Sequence, residues 1–538
     1  MDMLGPGQSN LSNHHKTFEV PVPVEPSWLP YLGHPLNLVW NANSYLNRLR
    51  SKYSGGIFSL NLLGTRHHIL HTPGLTHTFF AQDEKANVND VAEHIGIVVF
   101  GFPKDEGRKF QEAAGELHAL GKYLVNEEFL GVMVERTTRR AQENLADFVT
   151  GSEDLVEQKP WERRSRVRKT TDKQGHDVFE ASLFTLVRDF IANMSCPSIM
   201  GSDFLNNFPD FFDDIWTVDK EFFKLIANLP WWVPFPGMKE GRAARDRIVE
   251  RLLLFERAME KRRKGADPGP DWPCLQDVGH YVQERQNVYE KYGWSLRARA
   301  AYEHSLNWAA NANSNGLTFW MLNRIYMDKD LLAQLRAEIQ PYIRLRAGSG
   351  LRGSVDGQGS SASSGFESLD YNGLIERCAL LKSCYIECLR VHTASWSFKM
   401  VKEDFSLQAR KDSQGWLLRK GDYCHAAHEL HNTDPNYFED PLEFKPNRHI
   451  KYDPEKGYDV ADLGTIRPYG GGSSMCKGRH FAVKEVMIFT AAIISMWDME
   501  AAGGGEWKMP ASRKTTATHG TDDDCRVWIS RRESKEKP

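Results

Sequence analysis

Arg467-Pro-Tyr-Gly-Gly-Gly-Ser-Ser-Met-Cys476-Lys-Gly478-Arg-His-Phe-Ala482 decides how the rest of the chain is read, because it leads straight into a helical pattern from Val483 to Met496. Three glycines in a row open left-handed and otherwise strained backbone conformations, so the loop can pass close to a flat ligand. It then presents one cysteine at a helix N-terminus. Free amides and the positive end of the helix dipole favour a thiolate over a thiol, and a thiolate is what an iron centre takes as an electron-donating axial ligand. Gly478 leaves room where a side chain would strike a macrocycle. Taken alone, the loop also reads as a glycine-rich connection with a buried free cysteine ahead of a packed helix.

Three patterns precede it. Ser295 to Met327 contains no proline and predicts one helix on the order of 50 Å long. Its centre, Trp308-Ala-Ala-Asn311-Ala312-Asn313-Ser314-Asn315-Gly316, places small and amide side chains where a core helix carries Leu or Ile. Small residues permit close approach of a ligand plate, and amides can hydrogen-bond a guest. A later helix carries Glu387-Cys-Leu-Arg390, whose two charges share a face, and Phe444-Lys-Pro446-Asn-Arg448 can bring a second guanidinium to the same carboxylate. An isolated Glu-x-x-Arg is usually a surface pair, so the order of the patterns matters more than any one of them.

In that order they resemble the cytochrome P450 family of haem-thiolate monooxygenases. Its aromatic-x-x-Gly-x-x-x-Cys-x-Gly loop is matched by Tyr469, Gly472, Cys476 and Gly478; the usual basic residue two before the cysteine is Ser474 here. The resemblance implies a mainly α fold with small β-sheets, a single domain holding haem b between the long helix and the cysteine-loop helix, and Cys476 as the iron ligand. It gives Glu387, Arg390 and Arg448 structural work. Arg467 of the loop, Lys399, and His118 with Lys122 (in the places of a family Trp-x-x-x-Arg) would contact the haem, Lys399 covering for Ser474. Phe100, Asn311, Ala312, Ser395 and Trp396 would line the substrate pocket. Asn313 takes the place of the family's acid and Ser314 that of its alcohol. An amide cannot supply a proton as a carboxylic acid does, so Asn313 would orient water while Ser314 plays the alcohol's part, with helix–helix packing as the alternative for both.

The wording from Trp308 to Trp320 is similar to the subgroup of cholesterol and oxysterol 7-alpha-hydroxylases, sterol 12-alpha-hydroxylase and prostacyclin synthase, which points by analogy toward rigid lipophiles. The implied activity is insertion of one oxygen atom from O2 into a terpenoid, steroid or comparable polycyclic substrate, with electrons from a separate NADPH–cytochrome P450 reductase. The alternative is a haem-thiolate isomerase or dehydratase that needs no reductase. A non-enzymatic haem carrier or sensor fits less well with elaborate apolar pocket stretches.

Composition bounds the rest. Hydrophobic residues make up 41 %, charged residues 26 %, and the net charge is -3, which describes an ordinary folded protein with no reason to bind nucleic acid. Length alone suggests three or four domains of ~150 residues, against the one that the resemblance implies, covering 18–538. The eight cysteines are scattered without zinc-module spacing, which indicates a reducing compartment. Met1 to Thr17 is a polar tail lacking a long apolar run. Membrane-bound members of the resembling family usually start with such an anchor, so its absence implies a shortened chain, a different anchoring surface or a soluble protein; the resemblance places the protein inside the cell, on the cytoplasmic face of the endoplasmic reticulum as a peripheral protein.

Trp231, Trp232 and Phe235, in an aromatic loop, would supply the membrane contact, with core burial as the rival reading. Residues 346–366 are Gly/Ser-rich and predict a flexible insertion, and their Gly-x-Gly-x-x-Gly lacks the strand and helix that a dinucleotide fingerprint needs. The basic run Glu157 to Asp177 reads as a solvated loop, or else as a docking patch. Cys424-His425-Ala-Ala-His428-Glu-Leu-His431 has the wrong order for a zinc helix. Alternation predicts a hairpin from Gly56 to Leu70, a helix from Glu116 to Phe129 and a closing strand from Asp524 to Ser530.

Overall fold

Ile57–Leu62 and Thr65–Leu70 form the hairpin, paired antiparallel from Ile57 opposite Leu70 to Leu62 opposite Thr65. Its turn is Leu63-Gly64, both with positive φ (51° and 84°), the backbone that a two-residue turn needs to follow the twist of the strands. The structure is a computed structural model describing residues 19–27, 31, 33–228, 232, 235–345, 366–410 and 413–532. The polar tail and Trp231 fall outside these residues, as does the Gly/Ser-rich insertion except Phe366, which opens the Phe366–Leu369 strand.

The chain contains two units, the smaller made of Met1–Val88, Ser397–Leu430 and Gly471–Ser473 and the larger of Asn89–Trp396, His431–Gly470 and Ser474–Pro538. In the smaller, the hairpin extends into a mixed sheet in which Thr65–Leu70 pairs in parallel with Tyr423–Ala427. Ile57, Leu70, Phe79 and Leu418 fill its core.

The larger unit is mostly helical. Leu183–Met200, Ser314–Met327, Ala379–Val391 and Arg479–Met496 pack around fully buried Phe190, Trp320, Tyr385 and Phe489. The closing strand is Arg526–Arg531, set antiparallel between Trp497–Ala501 and Asp177–Ser182.

Two local expectations change. The helix expected over Glu116 to Phe129 is divided into Gly107–Ala119, a short 3-10 turn Leu120–Leu124, and Glu127–Asn144. Asn126 accepts the Glu128 amide at 2.9 Å and starts a new helix there, and a Cβ on Gly121 would lie 2.6 Å from Lys477. The basic run is an ordered helix and strand, Pro160–Ser165 and Arg168–Thr171, rather than a solvated loop. Acids from elsewhere in the unit match its charges: Arg164 pairs with Asp213 (2.5 Å), Arg166 with Asp524 (2.5 Å) and Arg168 with Glu180 (2.8 Å).

Candidate haem-thiolate site

The glycines of the cysteine loop are there for two reasons. Gly470 and Gly472 have positive φ (71° and 63°), and a Cβ on Gly471 or Gly472 would come within 2.2 or 2.4 Å of Phe80. Within the smaller unit the Ser473 amide donates to Asp83 Oδ2 at 2.9 Å, and Asp83 Oδ1 accepts Lys399 Nζ at 2.7 Å. Lys399, expected to contact the haem, is a buried cation holding the carboxylate under the loop. Burial works against Asp83 ionisation, but Lys399 and Ser473 overcome it and lower its pKa.

In the larger unit the Cys476 amide donates to the Tyr469 carbonyl at 3.0 Å. Tyr469 joins its hydroxyl to that of Tyr385 in a short hydrogen bond. Of the eight cysteines Cys476 alone is exposed. Desolvation raises its thiol pKa, while the amides of Gly478 and Arg479 and the charges of Arg479 and Lys477 pull the other way. A bound metal cation would complete the deprotonation. A Cβ on Gly478 would find one neighbour within 4 Å, the Cys476 sulfur at 3.9 Å. An exposed cysteine with amides donating to its sulfur and open space beside Gly478 fits a macrocycle coordinated through Cys476.

Glu387 accepts from Arg390 (2.7 and 2.8 Å), Arg448 (3.0 Å), the Lys445 amide (3.0 Å) and His449 (2.9 Å). Burial alone would raise its pKa, yet Arg390 and His449 hold it well below the usual carboxylate range. Arg390 also donates to the carbonyls of Asn432 and Glu443, both at 2.8 Å, so the cluster fastens the chain on both sides of Asp440. His449 was not singled out in the sequence, although it adjoins Arg448.

The long helix is broken. Leu296–Asn311 ends and Ser314–Met327 begins across Ala312 and Asn313, the latter at φ -114° and ψ -60°. Its amides explain the break. Asn307 Nδ2 bonds back to the Glu303 carbonyl and Asn311 Nδ2 to that of Asn307, both at 2.9 Å, while Asn313 Oδ1 accepts the Thr518 amide at 3.3 Å. Ser314 donates a short hydrogen bond to Glu485, and Ser195 donates another to the second oxygen of the same carboxyl group. The hydroxyl assigned the alcohol's part is thus directed at the helix that follows Cys476, in the packing arrangement. Glu485 is buried with no ion pair among the described residues, and desolvation pushes its pKa up to about 7 against the two serine bonds. The signal in the sequence was a lone acid inside the apolar run Val483 to Met496.

On the other side of the break lies a cavity of about 620 Å³ whose lining includes Trp216, Asp219, Asn311, Ala312, Arg513 and Thr518. Asn311 and Ala312, two of the residues expected in the pocket, are part of this lining. Phe100, Ser395 and Trp396 are not among its lining. Phe100 is buried edge-on against His304 at 5.0 Å, and Ser395 Oγ is buried with no hydrogen-bond partner. His118, Lys122 and Arg467 are exposed; Lys122 Nζ lies 4.9 Å from the Tyr123 ring centroid and Arg467 donates to the carbonyls of Gly464 (2.8 Å) and Ile466 (3.0 Å).

A helical body that offers one exposed cysteine at the start of a buried helix, with a broken, amide-rich helix elsewhere in the same unit, is the arrangement of a haem-thiolate enzyme. The chain belongs to the cytochrome P450 family, whose model matches residues 23–520. It is a cytochrome P450 monooxygenase, and its cofactor is haem with an axial cysteine thiolate. It is 24 % identical over 488 residues to the "Cytochrome P450 monooxygenase poxD" of Penicillium oxalicum, covering 90 % of this chain and 88 % of that one. Cytochrome P450 7B1 of Mus musculus is also 24 % identical, over 89 % of this chain and 84 % of its own. A 25-hydroxycholesterol 7-alpha-hydroxylase of Rattus norvegicus is 25 % identical over 62 % of this chain and 74 % of its own.

Proposed function

We propose that Cys476 is the axial ligand and that the enzyme hydroxylates a terpenoid, steroid or comparable polycyclic lipophile, with electrons delivered by a separate NADPH–cytochrome P450 reductase. The observation that carries the ligand assignment is Cys476, an exposed residue whose sulfur accepts from the Gly478 and Arg479 amides. The steroid class is supported by the similarity to a 25-hydroxycholesterol 7-alpha-hydroxylase. When bound, the haem supplies the oxygen chemistry. The amides at Cys476 stabilise the sulfur as an anion. Asp83, paired with Lys399, holds the Gly471–Ser473 segment. Asn313, at the break, orients water, and Ser314 ties the second half of the helix to Glu485. Glu387, Arg390 and Arg448 keep the chain before the cysteine loop in place. Product formation that requires NADPH and reductase would establish the hydroxylase.

A second reading, a haem-thiolate isomerase or dehydratase, is favoured by one observation: the Ser314 hydroxyl is already committed to Glu485. Turnover without reductase would decide for it. Trp232 and Phe235 stand 68 % and 44 % exposed, which supports a peripheral membrane contact at the cytoplasmic face of the endoplasmic reticulum. No helix among the described residues is long and apolar enough to cross a membrane. Changing Trp231, Trp232 and Phe235 together to polar residues should reduce liposome pelleting; unchanged pelleting would remove the contact.

A further inference from the structure

Asp219 and Asn311 line the cavity beside the break, each with one acceptor oxygen to which nothing among the described residues donates. Asp219, on the Phe211–Ile226 helix, makes one hydrogen bond, from Trp308 Nε1 at 2.9 Å, and among the described residues no ion pair. Asn311 is 2 % exposed and commits Nδ2 to the Asn307 carbonyl at 2.9 Å, which leaves Oδ1 without a donor among the described residues. Trp308, which donates to Asp219, lies three residues before Asn311 on the same helix. The three arginines of the lining have partners: Arg513 with Asp522 (3.1 Å), Arg166 with Asp524 (2.5 Å), and Arg188 with Asp189 (2.9 Å).

A guest that displaces water from these acceptors without donating to them would leave them unmatched at a cost, so the occupant of this space must bring donors. At about 620 Å³ the cavity is in the range of small-molecule sites. The donor is best neutral. The positive charges of Arg188 and Arg513 already act on Asp219, and burial raises its pKa, so an ammonium group would meet two guanidiniums and a weakened anion. A hydroxyl meets neither obstacle.

We infer that Asp219 and Asn311 form the subsite for the hydroxyl-bearing end of a neutral lipophilic substrate. This rests on the reading that the broken helix lines the substrate pocket. The test is calorimetric binding of a 3-hydroxysteroid and of its 3-O-methyl ether to the haem-loaded protein. Wild type should prefer the free hydroxyl about tenfold, the scale of one buried hydrogen bond. Asp219→Ala and Asn311→Ala should bring the two compounds within about twofold by weakening the hydroxysteroid alone. Asp219→Asn keeps an acceptor for Trp308 and serves if the alanine variant does not fold; it should reduce the preference to about threefold. Equal affinities in wild type, or a preference that survives in the folded variants, would overturn the subsite and leave the haem-thiolate assignment standing. A wild type that binds neither compound would remove steroids from the proposed function, and the subsite with them.

Discussion

The two sides of the break in the long helix use similar chemistry to opposite ends. On one side Ser314 and Ser195 saturate both oxygens of Glu485, and the group is sealed in the core. On the other, Asp219 and Asn311 keep unmatched oxygens beside a cavity. A carboxyl group whose acceptors are filled from within holds helices together. One whose acceptors are left open is waiting for a guest, and the difference lies in the neighbours rather than in the residue type.

The comparison is broken most severely at Glu485. Glu485→Ala strands two buried hydroxyls and opens a void, and should cost about 3 kcal/mol in urea denaturation. A loss below about 1 kcal/mol would show that the sealed side is not structural.

Glu485 also sets a pH dependence. Its folded pKa of about 7 lies above the ordinary 4.5, so the native state binds the extra proton. Its contribution is fully present below pH 4.5 and is lost as pH rises through about 7, on the order of 3 kcal/mol in all. Glu485→Gln should remove that part of the slope when stability is measured from pH 5 to pH 8. An unchanged slope would mean that the group is ionised in the fold.

Ser314→Ala removes one hydrogen bond and should cost about 1 kcal/mol while leaving the ratio of product formed to oxygen consumed unchanged. Uncoupled oxygen use in this variant would return the alcohol's part to Ser314. The smallest stability effect is expected at Asp219→Ala, about 0.5 kcal/mol, because only the Trp308 bond is lost and water can enter the cavity. A loss as large as that at Glu485 would erase the distinction between the two sides.

Much of the architecture was legible in the chain because its cues are local. Glycines marked the cysteine loop, and period-two alternation marked the hairpin, which turns at Leu63-Gly64. The Glu387 cluster could be read because Glu-x-x-Arg and Phe-x-Pro-x-Arg each place a charge at a fixed offset, and the structure brings Arg390 and Arg448 to one carboxylate. The break at Asn313 was hidden because proline was the only breaker sought, whereas amide side chains competing for helix carbonyls do the same work. Partners far apart in sequence were invisible for a simpler reason. Nothing local in Ser314 announces Glu485, and nothing in Lys399 announces Asp83. The order in Glu157 to Asp177 likewise depends on acids such as Asp213 and Asp524, which a charge count over one segment does not see.

The sulfur itself is the point to test. The reduced, carbon-monoxide-bound haem protein should show the red-shifted absorption band of a thiolate ligand, and Cys476→Ala, still folded by circular dichroism, should lose that band. A band that persists without Cys476, or a wild-type spectrum typical of imidazole-ligated haem, would contradict the assignment.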